Sequence, residues 1–363
     1  MTVQLTAAGW LPPFIQNRSP VYGLQRFFTA KPGSVYNGDK VVVDVKRIGE
    51  KIATGITRAS GPNLNDISQF TTKEFTPPSY GEAFPLDVGD LINRMIGVDP
   101  YSDAYTDYAA KFVSIMQMGF VEIDAMIMRA YELQAAQILQ TGTVTIKNRE
   151  GSEVFTLDFQ PKATHFPDVG TSWATATGAE MLADIASLAQ VIRKDGKVNP
   201  NMVILGRRAI TRLLATADVR ELLDVRNINV GEIRPELDDS GMIAYGLLNI
   251  EGRYYELWSY DESYEDTATG DNIDYLDQDK VIVISDRTRL DRASCRVPLP
   301  LGPDPRVASL MPGRMVDRAN GIDVTPNVYC TPNGKQIMGE LESRTLFIPV
   351  QIDGFGCLNT NPA

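Results

Sequence analysis

The sequence predicts an α+β protein of two or three structural units, and three observations carry that prediction. A run from Ser102 to Gly142 keeps helical spacing over its whole length. β-rich segments stand on both sides of that run, bounded by turn residues. Residues 177–215 read helix, strand, helix, the opening of an α/β layer. The chain's 363 residues suffice for a sizeable core.

Taken in order, residues 1–35 carry Pro12, Pro13, Pro20 and Pro32 among scattered aromatics, the composition of an extended arm. Its apolar residues Trp10, Phe14, Ile15, Phe27 and Phe28 need a partner surface in this chain or another copy, which makes Trp10 and Phe14 interface candidates. Lys40–Arg47 (KVVVDVKR) reads as a strand, Ile52–Thr57 as a second one after the break at Gly49, and Phe70–Phe75 (FTTKEF) as a return ending at Pro77 and Pro78. A two-stranded excursion of this length is marginal in water by itself. If it projects, it must lie on a neighbour, and Phe70, Phe75 and Tyr80 become candidate bridging residues. On that reading a charged residue at Phe75 impairs assembly more than folding. An ordinary meander inside one domain fits the same pattern.

The helical run places Tyr105, Tyr108, Ala109, Phe112, Met116, Phe120, Ile123, Ile127 and Ala130 on one face. Asp107, Lys111, Ser114, Glu122, Arg129, Glu132 and Gln140 form the opposing polar stripe. Ser102 or Asp103 can cap its start, and Gly142 stands where a left-handed C-cap glycine belongs. Such a helix extends roughly 50 Å or more at 1.5 Å per residue. Glu122 and Asp124 near its middle argue against a membrane span.

Beyond it, Thr143–Ile146 and Val154–Phe159 flank Asn148–Ser152, a β-hairpin signature. Pro161–Ser172 reads as a linker and Thr177–Lys194 as a second helix with Leu182, Ile185, Ala186, Leu188, Ala189 and Ile192 on its apolar face. Met202–Leu205 is a short buried strand and Arg207–Ala215 a third helix. Tyr254–Tyr260, Lys280–Ser285 and Leu346–Ile352 are further strands, the last placed at an edge by Pro349.

Composition excludes more than it identifies. A net charge of −11 argues against binding nucleic acid across the surface, which needs a basic field. It is compatible with enclosing DNA without adhering to it, and with most cytoplasmic enzymes. The start, MTVQLTAAGWLPPF, lacks the basic and apolar regions of a signal peptide, and no apolar run reaches membrane-span length. The three cysteines, Cys295, Cys330 and Cys357, are widely spaced and form no CxxC pair, so reduced thiols are expected.

No catalytic set emerges. The single histidine, His165, lies in a loop segment and reads as a bystander. Walker A, GxGxxG and GxSxG patterns are absent. Asp239–Ser240–Gly241 is a turn rather than half of a carboxylate dyad. Asp261–Asp279 gathers Asp261, Glu262, Glu265, Asp266, Asp271, Asp274, Asp277 and Asp279 with no Lys or Arg until Lys280. The EF-hand pattern fails there, because the sixth position is Asp266 rather than glycine. A solvated loop is expected, with a structural cation as the other reading. Arg287, Arg289, Arg292, Arg296, Arg306, Arg314 and Arg318 follow in a lysine-free, proline-rich segment. Arginine suits bidentate carboxylate pairing at interfaces. The acidic and arginine-rich stretches are free to meet across subunits, within one, or not at all. Arg287, Arg289 and Arg292 are therefore interface candidates. No cofactor and no metal are expected.

The order and wording of the segments resemble the major capsid proteins of tailed bacteriophages, specifically the lambda-like major head protein group. DKVVVDVKRIGEKIATGI followed by KEFTPPSYGEAFPL resembles that family's extended loop. RAYELQAAQILQTGTVTI resembles the end of its spine helix running into a hairpin. WATATGAEMLADIASLAQVIRKDGKVNPNMVILGRRAITRLL and YELWSYDESYEDTATGDNIDYLDQDKVIVI resemble its axial domain, and ESRTLFIPVQIDGF its C-terminal return.

The resemblance implies the Hong Kong 97-like fold, with an N-terminal arm (1–35), an extended loop (36–88), a peripheral domain with the spine helix (89–169), an axial domain (170–335) and a return to the peripheral domain (336–363). It implies a structural protein, not an enzyme, that assembles with itself into pentamers and hexamers of an icosahedral head around double-stranded DNA. It implies a separate scaffolding protein, because no long charged helical leader precedes the arm, together with a portal and, as is common in the group, a decoration protein. A membrane is not implied. The implied location is the virion, assembled in the bacterial host's cytoplasm. Lys46, Lys51 and Lys73 in the loop read as ordinary solvated lysines rather than cross-linking ones. Two other readings remain beside it: a bacterial nanocompartment shell with the same fold, and an enzyme using the Asp261–Asp279 carboxylates with a metal.

Overall fold

The computed structural model describes residues 23–36, 38–45, 71–87, 108–222, 236–237, 241–297, 315–317, 322–334 and 336–362. Its elements in chain order begin with β1 (Phe28–Tyr36), β2 (Val41–Val45), β3 (Thr71–Phe75), β4 (Tyr80–Asp87), α1 (Tyr108–Thr141), β5 (Thr143–Lys147) and β6 (Glu153–Asp158). Next come α2 (Gly178–Gly196), β7 (Met202–Leu205), α3 (Arg207–Ala215), α4 (Ala217–Leu222), β8 (Glu236–Leu237), β9 (Met242–Ile250) and β10 (Arg253–Tyr260). The chain closes with β11 (Ser263–Glu265), β12 (Asn272–Asp274), β13 (Lys280–Ile284), β14 (Leu290–Cys295), β15 (Met315–Asp317), β16 (Ile322–Cys330), β17 (Gln336–Ser343), β18 (Thr345–Ile348) and β19 (Phe355–Asn359).

The long helix forms as its periodicity requires. α1 has 34 residues, about 50 Å at 1.5 Å per residue. Met116, Phe120, Ile123, Ile127, Tyr131, Ile138 and Leu139 are buried along it. The cap candidates Ser102 and Asp103 lie outside the described residues. Gly142 ends the helix at φ 70°, its N–H donating to Ile138 O at 2.8 Å. A Cβ there would stand 2.5 Å from Pro161, so both the handedness and the space demand glycine. The polar stripe needs one correction: Glu132 is fully buried. The segment before β1 and the sheet strand β10 cover the helix at this position, while Arg129 one turn back stays exposed.

The α/β layer is a six-stranded sheet in the order β19-β13-β7-β10-β9-β8, with β7 and β10 parallel and the other neighbours antiparallel. It is covered on both faces. On β7, Met202 and Ile204 join the core around α1, while Val203 and Leu205 join the core around α2 and α3. On β13, Ile282 and Ile284 take the first side and Val281 and Val283 the second. Strands buried on both faces read as unbroken apolar runs, which is why MVIL and KVIVI stood out. α2 starts with a capping box: Thr177 and Glu180 satisfy each other's backbone N–H groups.

Four strands, β15-β16-β17-β4, form an antiparallel sheet, and β1-β14-β18 form a three-stranded one in which β1 runs parallel to β14. Hairpins β2-β3, β5-β6 and β11-β12 stand as separate two-stranded ribbons. The last stretch, 336–363, divides itself: β17 joins β4, β18 joins β14, and β19 completes the six-stranded sheet beside β13.

Three expectations change in detail. The linker Pro161–Ser172 contains a 3-10 turn, Ala163–His165, and His165 is buried in it, its Nδ1 2.9 Å from Phe355 O. The acidic stretch is not only a solvated loop, because its middle pairs as β11-β12. The late strand ends at Ile348, just before Pro349; β18 is an edge strand, as that proline suggests. Around Asp239–Ser240–Gly241, residues 238–240 lie outside the described set, and the flanking β8 and β9 pair antiparallel, as strands joined by a turn do.

Candidate functional site

In the β2-β3 ribbon, Val41 pairs with Phe75 and Val45 with Thr71. An exposed Lys40–Glu74 ion pair closes its lower rung at 2.8 Å, which adds little stability in water. Each charge holds the other's ionised form: the ammonium lowers the Glu74 carboxyl and the carboxylate raises the Lys40 amine. Arg344, between β17 and β18, donates from Nη1 to Asp39 Oδ1 at 2.7 Å and so ties the start of the ribbon to the segment between β17 and β18. Val42 on the ribbon is a half-exposed apolar side chain, at 47%.

Where the C-terminal half of α1 meets the sheets, the core turns polar. Tyr131 OH bonds Ser343 Oγ and, at 3.0 Å, Thr345 Oγ1, which also meets Ser294 Oγ at 2.7 Å. Gln134 donates from Nε2 to Tyr80 OH at 2.8 Å and accepts from Phe347 N at 2.8 Å on Oε1. Glu132 accepts Leu24 N at 2.8 Å and Tyr260 OH at 2.7 Å on Oε1, and Gln25 N at 3.1 Å on Oε2. Burial pushes its carboxyl up to about 7, against the pull of those hydrogen bonds.

A third polar cluster ties α3 to the acidic stretch. Arg208 and Arg212 each donate to Asp279, at 2.9 and 2.7 Å, and Arg207 Nε lies 3.6 Å from Asp261. Among the described residues, the arginines that meet the acidic stretch include Arg207, Arg208 and Arg212 of the RRAITR helix. Arg287 and Arg289 are exposed, while Arg292 is buried on β14. Arg306, Arg314 and Arg318 lie outside the described residues.

Of the other interface candidates, Trp10, Phe14 and Phe70 lie outside the described residues. Phe75 is 7% exposed with its ring 5.4 Å from Phe159, and Tyr80 meets Gln134 and the Tyr131 ring. Both therefore have partners inside their own chain.

The chemistry on offer is that of joints. Among the described residues, no group of three His, Cys, Asp or Glu side chains could hold a metal. Burial raises the Cys295 thiol to about 11 and the Cys357 thiol to about 12, so neither supplies a thiolate at neutral pH. No described helix is long and apolar enough to cross a membrane. Sequence reasoning missed Glu132, Gln134 and Arg344. The signal for the first two was in view: charged and amide side chains inside the apolar run MRAYELQAAQIL.

The model of the phage major capsid protein E family matches residues 15–355. No curated protein matches the chain. Among solved structures, a prophage capsid protein of Escherichia coli CFT073 superposes with a TM-score of 0.60 at 15% identity, covering 99% of this chain and 99% of that one. A phage-related protein of Bordetella bronchiseptica RB50 aligns with a TM-score of 0.48 at 11% identity, over 99% of this chain and 98% of that one. A virus-like particle from Pyrococcus furiosus aligns with a TM-score of 0.43 at 13% identity, over 97% and 96%.

Proposed function

The chain belongs to the phage major capsid protein E family, a family of structural shell proteins, and has the Hong Kong 97-like fold, and from that premise we propose that many copies close into the pentamers and hexamers of an icosahedral head around double-stranded DNA. The observation that carries the reading is the family match across residues 15–355. The described surface supports it: a two-stranded ribbon is anchored by Arg344 and Asp39 at its base and carries a half-exposed apolar residue, Val42.

In this reading residues 36–88 lie on the adjacent subunit, with Phe70 and Val42 toward it. The arm at 1–35 packs Trp10 and Phe14 on neighbours. Arg287 and Arg289, exposed on the body, face carboxylates of another copy. Residues 89–169 with α1 form the peripheral domain and 170–335 the axial one, with 336–363 running back across both. A separate scaffolding protein sets the curvature and a portal occupies one vertex. The net charge of −11 lets the inner wall hold DNA without gripping its phosphates. Assembly takes place in the host cytoplasm.

The test is negative-stain electron microscopy of the purified protein, alone and co-expressed with its neighbouring genes. Shells, tubes or hexameric rings are expected. Uniform small particles in both preparations overturn the proposal. Shells filled with an enzyme instead of DNA assign the chain to a nanocompartment.

A further inference from the structure

Residues 23–27 form a short strap that crosses from α1 to the six-stranded sheet before β1 begins. Gly23 lies so close to the sheet that a Cβ would stand 2.4 Å from Met242 Cγ and 3.0 Å from Tyr260 Cε2. Leu24 and Gln25 are buried, and Gln25 Nε2 donates to Met128 O at 2.7 Å. The Arg26 guanidinium covers the Trp258 ring at 4.8 Å. At the centre is Glu132, whose carboxylate takes both strap amides, Leu24 N and Gln25 N, and the Tyr260 hydroxyl from β10.

This carboxylate is fully buried, and among the described residues no Lys, Arg or His forms an ion pair with it. The titratable and charged groups around it are Tyr260 itself, Tyr275 and Glu262 beyond that tyrosine, Arg26 on the strap, and exposed Arg129 one turn back on α1. A buried carboxylate without a cation favours its neutral form, because desolvation penalises the charge. Neutral Glu132 still fits the site. With the proton on Oε1 and directed at Tyr260, Leu24 N and Gln25 N keep their bonds, and the phenol oxygen accepts where it donated, its own proton turning away from Glu132 at the cost of that donated bond.

We propose that Glu132 is a proton-operated latch: the strap at 23–27 stays docked while this side chain is neutral and loosens as it ionises. The two states of the strap differ in how much water reaches the carboxyl. Docked, its pKa is held at about 7 by burial; undocked and solvated, it returns toward the ordinary carboxyl value. Docking therefore takes up a proton. The strap is held most firmly below the ordinary value, weakens by up to about tenfold for each pH unit through the window up to about 7, and weakens no further above it. The inference concerns the single chain and goes beyond its role in a shell.

Hydrogen exchange of the full chain between pH 5 and 8, corrected for intrinsic chemical exchange, tests it. Protection of the peptide spanning 23–28 is expected to fall at least tenfold as pH rises and to level off above pH 7.5, while a peptide from α2 stays constant. E132Q, which cannot ionise, is expected to give a flat profile. Should E132Q fail to fold, Y260F provides the second reading: it removes a bond that favours the charged form, so the transition moves to higher pH. A wild-type profile without pH dependence, an E132Q profile that follows wild type, a Y260F midpoint that stays in place, or a parallel loss in α2 overturns the proposal.

Discussion

The ring of Phe84 occupies the space where a side chain on Gly119 would stand: a Cβ at 119 would lie 2.4 Å from Phe84 Cζ. The same ring presses on Gly339 of β17, where a Cβ would lie 2.6 Å from it, and meets Phe120 edge-on at 5.4 Å. β4 is thereby keyed into both α1 and β17. In an open helix, Gly119→Ala gains about 1 kcal/mol from helix propensity. Here the added methyl must displace an aromatic ring wedged between two elements, at about 1–3 kcal/mol. The expected outcome is a net loss of stability, read as a lower melting temperature. A higher one refutes the keyed packing.

Phe75 and Val42 sit on the same ribbon and separate folding from assembly. Phe75 is buried against Phe159, so Phe75→Asp is expected to destabilise the chain itself by about 3 kcal/mol or more. Val42 is 47% exposed, and Val42→Asp is expected to leave denaturant midpoints within about 0.5 kcal/mol of wild type while lowering the yield of shells. Normal shell yield from Val42→Asp removes Val42 from the interface. The structure thus moves the earlier Phe75 test to its neighbour.

Gln134 joins three segments far apart in sequence. Replacing it with Leu keeps the volume and deprives Phe347 N of its acceptor and Tyr80 OH of its donor. A buried amide left unpaired costs about 1–3 kcal/mol. Gln134→Leu is expected to lose about 2–4 kcal/mol in urea titration, more than Tyr80→Phe, which leaves Phe347 satisfied. Equal losses for the two variants contradict this division.

Periodicity and turn chemistry carried much of this fold. α1, α2, β7, β13 and the β5-β6 hairpin were legible because burial on one face, or on both, writes itself into neighbouring residues. β4, β16 and β17 were not, because sequences such as QIMGELES alternate only weakly, and their pairing joins residues 80–87 to 336–343. The joints were hidden for a related reason. Glu132 looks like any solvent-facing glutamate until the amides of residues 24 and 25 arrive from over a hundred positions away. Arg344 and Asp39 are likewise ordinary surface residues in sequence and partners only in space.

Asp279 receives two arginines, and burial ranks them. Arg212 is 25% exposed at its side chain and Arg208 57%, with Asp279 itself at 13%. The pair with less solvent is screened less, while an exposed pair contributes about 0–1 kcal/mol. Arg212→Ala is therefore expected to destabilise more than Arg208→Ala. Asp279→Ala should exceed both, since it strands two guanidinium groups. The backbone of Asp279 also accepts Thr360 N at 2.8 Å, so loosening this corner frees the end of the chain beside β19. In a double-mutant cycle, Asp279 and Arg212 are expected to couple by about 1–2 kcal/mol, and Asp279 and Arg208 by less than about 1. Added salt should shrink the second coupling more than the first. Equal couplings, or a larger one for Arg208, mean that the solvent-exposed arginine holds the corner and that burial does not rank the two.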